Sequence, residues 1–312
     1  MDRVKEQLEL WETRPDVGLK APPKDGASWK AQLGRLLTLD LSFEGQDTSY
    51  ARHNFHSFPA KFPPQLPRFF IEQLTAEGET VLDPMAGSGT AVLEAALAKR
   101  VGVGFDIDPL AVRICRIKTM PAKRETILAA FREVISRSRS LMERPKELSR
   151  RLDERFDTRT RQFVNYWFLP PTQLELEALT ESIAIVEDEA VRAFLEIALS
   201  ACIVTKSGGV TLARDLAHSR PHRDHTKKPR SAIALFEQRV RKNLKGLAVP
   251  LHNGQVSVRM ADSRSLPLED NSVDLIVTSP PYANAIDYMR AHKFTLVWLG
   301  EAIEELSRLR SA

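Results

Sequence analysis

A glycine-rich turn between an apolar strand and a helix constrains the fold of this chain more than any other feature. Residues 81–90 are Val-Leu-Asp-Pro-Met-Ala-Gly-Ser-Gly-Thr, and residues 91–99 are rich in Ala, Leu and Glu. The glycines permit a tight turn and a close approach of backbone to a ligand. The helix amino terminus offers unpaired N–H groups and a partial positive charge. The pattern predicts the strand–loop–helix unit of a mononucleotide-binding α/β fold, and without Gly-Lys-Ser/Thr it is not a phosphate-cradling P-loop.

An acidic residue ends the next predicted strand. Residues 101–105 are Val-Gly-Val-Gly-Phe, and Asp106-Ile107-Asp108-Pro109 follows them. An acid at the end of the second strand is placed to accept both ribose hydroxyls of a nucleoside, and Asp106 comes first after the apolar run. Asp108 is suited to capping the helix that Pro109 begins. A purely structural interpretation, in which both aspartates are caps, stays open.

A proline-rich turn follows another apolar run. Residues 273–277 are Val-Asp-Leu-Ile-Val, and residues 278–282 are Thr-Ser-Pro-Pro-Tyr. The prolines lack an N–H and fix φ, so the chain must turn at the carboxyl edge of the strand. Open α/β sheets bind their ligands at that edge. A loop with a hydroxyl, exposed carbonyls and an aromatic ring suits a flat heterocycle that carries an amino group.

A further strand is predicted over residues 255–260, and it ends at Ala261-Asp262-Ser263. Asp262 is therefore expected at the same carboxyl edge. Two interpretations carry equal weight: Asp262 binds the adenine amino group of a nucleoside cofactor, or it is a turn residue.

These motifs together resemble those of S-adenosylmethionine-dependent DNA amino-methyltransferases. Residues 83–90 are similar to motif I of that family and residues 278–282 to motif IV. Residues 54–64, Asn-Phe-His-Ser-Phe-Pro-Ala-Lys-Phe-Pro-Pro, resemble motif X, which lies beside the methionine part of the cofactor. Ser-Pro-Pro-Tyr is typical of cytosine-N4 enzymes, whereas adenine-N6 enzymes more often have Asp or Asn in place of the serine. The resemblance covers residues 50–120 and 250–300.

The resemblance implies S-adenosylmethionine as cofactor and DNA as partner. In such a site the Ser279 hydroxyl and the Pro280 carbonyl would accept the hydrogens of the target amino group, while Tyr282 stacks on the extruded base. The expected catalytic residues are Ser279, Pro280, Pro281 and Tyr282. The expected cofactor-binding residues are Phe58, Ala60, Asp83, Pro84, Gly87, Gly89, Thr90, Asp106 and Asp262. The aromatic residues of motif X have a simpler interpretation as core side chains.

The two cysteines limit both the type of methylation and the cellular compartment that the sequence predicts. Cys115 and Cys202 lie in apolar, helix-like contexts rather than in the Pro-Cys setting that carbon-5 cytosine methylation requires. Two cysteines provide no disulfide framework, so we expect a cytoplasmic protein. No apolar run is long enough to span a membrane, and no signal-peptide pattern is seen.

A basic stretch follows the middle of the chain. Residues 220–245 contain nine Lys or Arg against two acids. Phosphate contact requires such a surface, although a solvated face explains the charges equally well. The residues expected to bind DNA are Arg220, Arg223, Lys227, Lys228 and Arg230. We expect no metal, because no cysteine or carboxylate set completes a zinc site with His218, His222 and His225.

The expected fold is α/β, a Rossmann-like class I methyltransferase sheet with a helical insertion and an incomplete carboxyl terminus. Residues 1–50 form a lead-in, residues 51–120 and 251–312 the catalytic domain, and residues 121–250 a helical insertion that contributes to target choice. The aromatic residues at 166–168 are assigned to the core of that insertion in preference to base stacking. Four strands are recognised against the seven of this class. We therefore expect a truncated or split enzyme, completed by another chain or by a homo-oligomer.

The leading functional prediction is a site-specific DNA methyltransferase that acts on N4 of cytosine, in restriction-modification or a related defence. Three alternatives are kept. One is a DNA adenine-N6 methyltransferase. Another is an RNA guanine-N2 methyltransferase, although those enzymes usually carry Asp or Asn before Pro-Pro-Tyr. The third is an inactive DNA-binding subunit that retains the cofactor fold.

Overall fold

The computed structural model describes residues 26–58, 61–205, 209–214, 221–251, 256–280 and 288–309. The strands in these residues are β1 Thr80–Asp83, β2 Val101–Asp106, β3 Ala213–Arg214, β4 His222–Arg223, β5 Val256–Met260 and β6 Leu275–Ile276. The helices are α1 Gly26–Leu36, α2 Gln65–Leu74, α3 Thr90–Leu97, α4 Pro109–Thr119, α5 Arg124–Met142, α6 Pro145–Arg155, α7 Thr158–Trp167, α8 Pro170–Ala184, α9 Glu189–Ile203, α10 Ala232–Gly246, α11 Tyr288–Leu296 and α12 Ile303–Leu309.

The chain forms two compact units. The first takes its described residues from Met1–Asn54, Ala60–Pro121 and Lys245–Pro280. The second takes them from Phe55–Pro59, Ala122–Leu244 and Pro281–Ala312. None of the helices in the described residues has the length and apolarity that crossing a membrane requires.

The first unit is built on a parallel sheet with the strand order β5-β2-β1-β6. Its inner strands are buried on both faces, as parallel strands covered by other elements usually are. On one face Leu82, Val103 and Phe105 form a core cluster, and on the other Val81 packs with Ile71 of α2. The predicted α/β fold with a Rossmann-like sheet is therefore confirmed.

Helix α3 lies very close to the sheet because β2 carries a glycine beneath it. A Cβ atom at Gly104 would stand 2.8 Å from Cγ2 of Val92 and 3.2 Å from Cβ of Ala86. No side chain fits in that space. The glycine of β2 therefore sets the depth at which α3 and the preceding loop sit on the sheet.

The strand register brings the ends of the four strands to one edge. Asp83, the last residue of β1, pairs with Gly104, and Asp106, the last residue of β2, pairs with Met260 of β5. On the other side of β1, Leu82 pairs with Ile276 of β6. Because all of these pairs are parallel, the loops that follow the strands leave the sheet on the same side.

The second unit is helical, with one short β-hairpin. Helices α5 to α9 lie in the segment for which the sequence predicted a helical insertion. Strands β3 and β4 pair antiparallel within that segment and were not predicted. Two residues per strand are too few for a periodic sequence signal.

The end of the chain groups with these helices rather than with the sheet, which differs from the division made on sequence. Trp298 is fully buried, and its ring packs edge-on against Phe156 and Phe168. Its carbonyl accepts a hydrogen bond of 2.9 Å from Nη2 of Arg155. Residues 288–309 therefore complete the helical core of the second unit.

Candidate cofactor and catalytic site

The glycine loop between β1 and α3 is fastened to the end of β2. The Ala86 amide donates to the Phe105 carbonyl at 2.8 Å, and the Gly87 amide donates to Oδ2 of Asp106 at 2.7 Å. The Gly89 amide closes the turn by donating to the Ala86 carbonyl at 2.7 Å. The loop is thus held in shape by the Phe105 carbonyl and the Asp106 carboxylate at the end of β2, and by one hydrogen bond within the loop.

Gly89 meets two requirements that only glycine satisfies. It is the N-cap residue of α3 with a φ of +76°, in the left-handed region. A Cβ atom at this position would also stand 2.3 Å from Sγ of Cys115 on α4. Thr90, the first residue of α3, is buried, while Pro84 is half-buried at the start of the loop.

The two aspartates after β2 have separate roles. Asp108 caps α4 by accepting from the amides of Leu110 at 2.8 Å and Ala111 at 3.3 Å, which confirms the capping alternative for this residue. Asp106 is half-buried and accepts from the amides of Gly87 and, at 2.8 Å, Asp108. Asp106 therefore places a hydrogen-bonded carboxylate at the edge of the sheet.

Asp83 is the last residue of β1 and directly precedes the glycine loop. Its side chain is 2% exposed, and burial raises its pKa to about 7. The Thr278 hydroxyl and the Met85 amide, which lies 3.2 Å from Oδ1, partly oppose that rise in pKa. Thr278 lies two residues after β6, and the Val277 amide between them donates to the Leu82 carbonyl of β1 at 3.0 Å. The β1–β6 pairing therefore brings the segments that follow Leu82 and Ile276 to the same edge of the sheet, although they are far apart in the sequence.

Only part of the predicted catalytic loop lies in the described residues. Ser279 is half-buried and Pro280 is exposed at the carboxyl edge of the sheet. Pro281 and Tyr282 lie outside the described residues. The roles assigned to these four residues stay predictions.

The prediction for motif X has a similar outcome. Phe58 belongs to the second unit, where its ring stacks on Tyr288 at a centroid distance of 5.1 Å and an interplanar angle of 17°. This contact agrees with the simpler interpretation of Phe58 as a core side chain. Ala60 lies outside the described residues.

The carboxylate of Asp262 accepts hydrogen bonds from Arg264. It accepts from the Arg264 amide at 2.9 Å, and its two oxygens lie 3.0 and 2.9 Å from Nε of Arg264. These hydrogen bonds lower the pKa of Asp262 to about 2. The geometry is that of a turn residue, which was one of the two interpretations, and a cofactor contact would have to compete with Arg264.

A buried polar cluster in the first unit was missed at the sequence level. Oε1 of Glu94 accepts from the Tyr50 hydroxyl at 2.7 Å and lies 2.5 Å from Nε2 of His53. Burial raises the pKa of Glu94 to about 8 and lowers that of His53 well below its usual value. Both groups are therefore driven toward their neutral forms, and they fasten the segment before motif X to α3.

Lys118 of α4 extends this cluster. Its side chain is fully buried, and Nζ has no hydrogen-bond partner within the described residues. Burial lowers the pKa of Lys118 well below its usual value. Its carbonyl accepts from the Arg52 guanidinium at 3.3 Å. Neither Glu94 nor Lys118 has a local sequence signal, because their partners lie more than 40 residues away in the chain.

The residues predicted to contact DNA lie in the second unit, with Arg220 outside the described residues. Lys228 is exposed, and Arg230 is exposed with Nη2 3.0 Å from Oε1 of Gln238. Nζ of Lys227 donates to the Ala213 carbonyl at 2.8 Å. Arg223 packs on a tyrosine, as described below. In the described residues no group of His, Cys, Asp or Glu is arranged to hold a metal ion.

Comparison with known proteins gives consistent matches. Residues 5–116 match the model of a DNA methylase family. The type II methyltransferase M.MvaI of Kocuria varians is 23% identical over 86% of this chain and 62% of its own length. M.BsoBI of Geobacillus stearothermophilus, also a type II methyltransferase, is 24% identical over 83% of this chain and 55% of its own length. The type II methyltransferase M.MjaI of Methanocaldococcus jannaschii is 45% identical over 16% of each chain.

The fold and the site define a Rossmann-like protein with a glycine loop and a strand-end acid at one sheet edge. The chain is similar to a DNA methylase family over residues 5–116 and to type II methyltransferases over most of its length, and these matches support its assignment to the DNA amino-methyltransferases. The family resemblance predicted from the motifs is thereby confirmed at that level. The chain spans 62% of the length of M.MvaI and 55% of the length of M.BsoBI.

Proposed function

We propose that this chain carries the catalytic core of a site-specific DNA methyltransferase that transfers a methyl group from S-adenosylmethionine to N4 of cytosine. The observation that supports this most directly is the pairing of β6 with β1, in which Leu82 pairs with Ile276 and the Val277 amide donates to the Leu82 carbonyl at 3.0 Å. It starts the Ser-Pro-Pro loop at the sheet edge that carries the glycine loop. A cofactor on the glycine loop and an amino group at Ser279 would then be neighbours.

The described residues fit the cofactor. The glycine loop leads into the amino terminus of helix α3 and is hydrogen-bonded to Asp106 at the end of β2. Asp106 supplies a carboxylate at the end of the second strand, the group that the family resemblance assigns to the ribose hydroxyls. Oγ of Ser88 is buried without a hydrogen-bond partner within the described residues. When bound, S-adenosylmethionine supplies an electrophilic methyl group on a positively charged sulfur.

The chemistry required of the protein is modest. The lone pair of an exocyclic amino nitrogen is delocalised into the ring, so the nitrogen is a poor nucleophile. The Ser279 hydroxyl and the Pro280 carbonyl would accept its two hydrogens and favour a tetrahedral, more nucleophilic nitrogen. Tyr282 would stack on the extruded base. Positioning then supplies much of the acceleration, and no covalent nucleophile is needed.

The serine favours cytosine over adenine in this proposal. Adenine N6 is the second candidate target, because the same loop would hold either amino group and the match to the DNA methylase family does not distinguish them. The relatives' names as type II methyltransferases support a role in restriction-modification.

The test is transfer of labelled methyl from S-adenosylmethionine to duplex DNA, followed by digestion to nucleosides. We expect label in N4-methyldeoxycytidine. Label in N6-methyldeoxyadenosine would move the target to adenine, and label in RNA as N2-methylguanosine would refute a DNA substrate. Cofactor binding by calorimetry without transfer to any substrate would favour the inactive subunit.

The ionisation of Asp83 predicts a pH dependence of cofactor binding. Without cofactor its pKa is about 7. A bound sulfonium cation favours the charged carboxylate and so lowers that pKa. When the pH lies between the pKa of Asp83 in the free protein and its lower pKa in the complex, cofactor binding releases a proton. The affinity for the cofactor therefore rises as the pH increases from 6 to 7.5.

Calorimetry at the two pH values measures this effect. We expect a several-fold gain in affinity for the native chain, since one pKa unit corresponds to about a tenfold change. Asp83→Asn is the control because it keeps the shape and has no proton to release. Equal pH dependence in the native chain and in Asp83→Asn would contradict the link.

A further inference from the structure

The hairpin of the second unit is tied to the end of α7. Its register pairs Ala213 with Arg223 and Arg214 with His222. The Leu212 amide donates to the Trp167 carbonyl at 2.8 Å, and the Asp224 amide donates to the Leu212 carbonyl at 2.8 Å. Since Trp167 is the last residue of α7, the hairpin lies beside the exposed side chains of that helix end.

This arrangement places Arg223 on the ring of Tyr166. The guanidinium carbon lies 4.8 Å from the ring centroid, within the range of a cation–π contact. Tyr166 is 49% exposed, so the prediction that it belongs to the core was wrong, while Phe168 is buried as predicted. The ring is braced edge-on by Trp167 at a centroid distance of 4.8 Å.

The guanidinium of Arg223 is not neutralised by the neighbouring acid. Asp224 pairs with Nε of Arg214 at 2.5 Å and accepts from the Thr226 amide at 2.9 Å. Nε of Arg223 is buried and has no hydrogen-bond partner within the described residues. The planar guanidinium of Arg223 is therefore oriented by the Tyr166 ring and lies on the β3–β4 hairpin.

We infer that the Tyr166–Arg223 pair recognises a guanine in the major groove of the DNA substrate. The inference rests on the proposed function, because it takes duplex DNA as the partner. The major groove admits a two-stranded β-ribbon, and an arginine fork donates two hydrogen bonds to O6 and N7 of guanine. Lys228 and Arg230, which are exposed on the same stretch, supply phosphate contacts.

A base contact suits Arg223 better than a phosphate contact does. A phosphate is satisfied by a flexible point charge, and the exposed Lys228 provides one. Holding the planar fork on a ring lowers the entropy lost when it forms two directed hydrogen bonds. Arg223 therefore determines sequence preference, and Tyr166 acts as a positioning residue through it.

The test is selection of bound sequences from a randomised duplex pool, with parallel mapping of methylated positions. The native chain is expected to require guanine at one position of the enriched sequence. Arg223→Lys keeps the charge but loses the fork, and we expect the preference for that guanine to fall by about 5- to 150-fold. Tyr166→Ala is expected to weaken the same preference, while Tyr166→Phe keeps the ring and preserves it.

Lys228→Ala is the matched control. It is expected to weaken binding to all sequences alike and to leave the enriched sequence unchanged. The slope of the logarithm of the binding constant against the logarithm of the salt concentration should become shallower by about 1. The inference is overturned if the native chain enriches no sequence, or if Arg223→Lys behaves like Lys228→Ala. A guanine-dependent enrichment without methylation would refute the proposed function and leave this inference standing. Melting curves of Arg223→Lys and Tyr166→Phe confirm that the variants are folded.

Discussion

Replacing Gly89 with alanine is expected to destabilise the first unit by about 2–5 kcal/mol and to remove cofactor binding. A left-handed backbone costs an L-residue roughly 1–2 kcal/mol. The new methyl group also meets Sγ of Cys115 at 2.3 Å, and overpacking of this kind costs about 1–3 kcal/mol more. Because Gly89 lies at the N-terminus of α3, the displacement falls on the amides that the cofactor would approach.

Gly45 offers a matched control for the backbone term. It has the same φ of +76°, and nothing lies within 4 Å of a Cβ atom built there. Urea unfolding of Gly45→Ala should therefore show only the cost of the left-handed backbone. In Gly89→Ala, a second change of Cys115→Ala should restore part of the stability, because it removes Sγ and leaves Cβ at 2.9 Å. Equal losses in Gly45→Ala and Gly89→Ala would show that the thiol contact is unimportant.

Replacing Ser279 with alanine is expected to lower the rate of methyl transfer by at least about 100-fold, the range lost with a group that handles a proton in the transition state. Cofactor affinity should change little, because Ser279 follows β6 and none of the contacts that hold the glycine loop involves it. Single-turnover transfer to duplex DNA measures the rate, and calorimetry measures the affinity.

Ser263→Ala is the control for this variant, since Ser263 is an exposed serine just after β5. It should leave both the rate and the affinity unchanged. A Ser279→Ala protein with the native rate would refute the acceptor role of the hydroxyl. One that no longer bound the cofactor would instead assign Ser279 to the cofactor site.

The parts of the fold that were predictable depend on local chemistry. The glycine loop, the strand that ends at Asp106 and the cap at Asp108 each follow from residues within a few positions. The hydrogen bonds between Asp262 and Arg264 were also predictable, because the two residues are only two positions apart. Such features depend on turn geometry and capping, which sequence patterns express directly.

The parts that were not predictable depend on distant partners. The His53–Glu94 contact joins residues 41 positions apart, and neither residue is unusual in its own segment. The β3–β4 hairpin depends on the Leu212 amide reaching the carbonyl of Trp167, 45 positions earlier. The exposure of Tyr166 beside the buried Phe168 reflects the end of α7 at Trp167, where the backbone becomes extended. None of these contacts leaves a periodic or compositional trace.

Cys115, the thiol under the glycine loop, gives the protein a natural chemical probe. The chain has two cysteines, both buried, with Cys115 in the first unit and Cys202 in the second. Burial raises the pKa of each thiol to about 12, so an alkylating reagent finds almost no thiolate while the protein is closed. Modification of each cysteine therefore proceeds only as fast as its own unit opens. Alkylation rates measured by mass spectrometry would give the opening rates of the sheet unit and of the helical unit separately, without an added dye or tag.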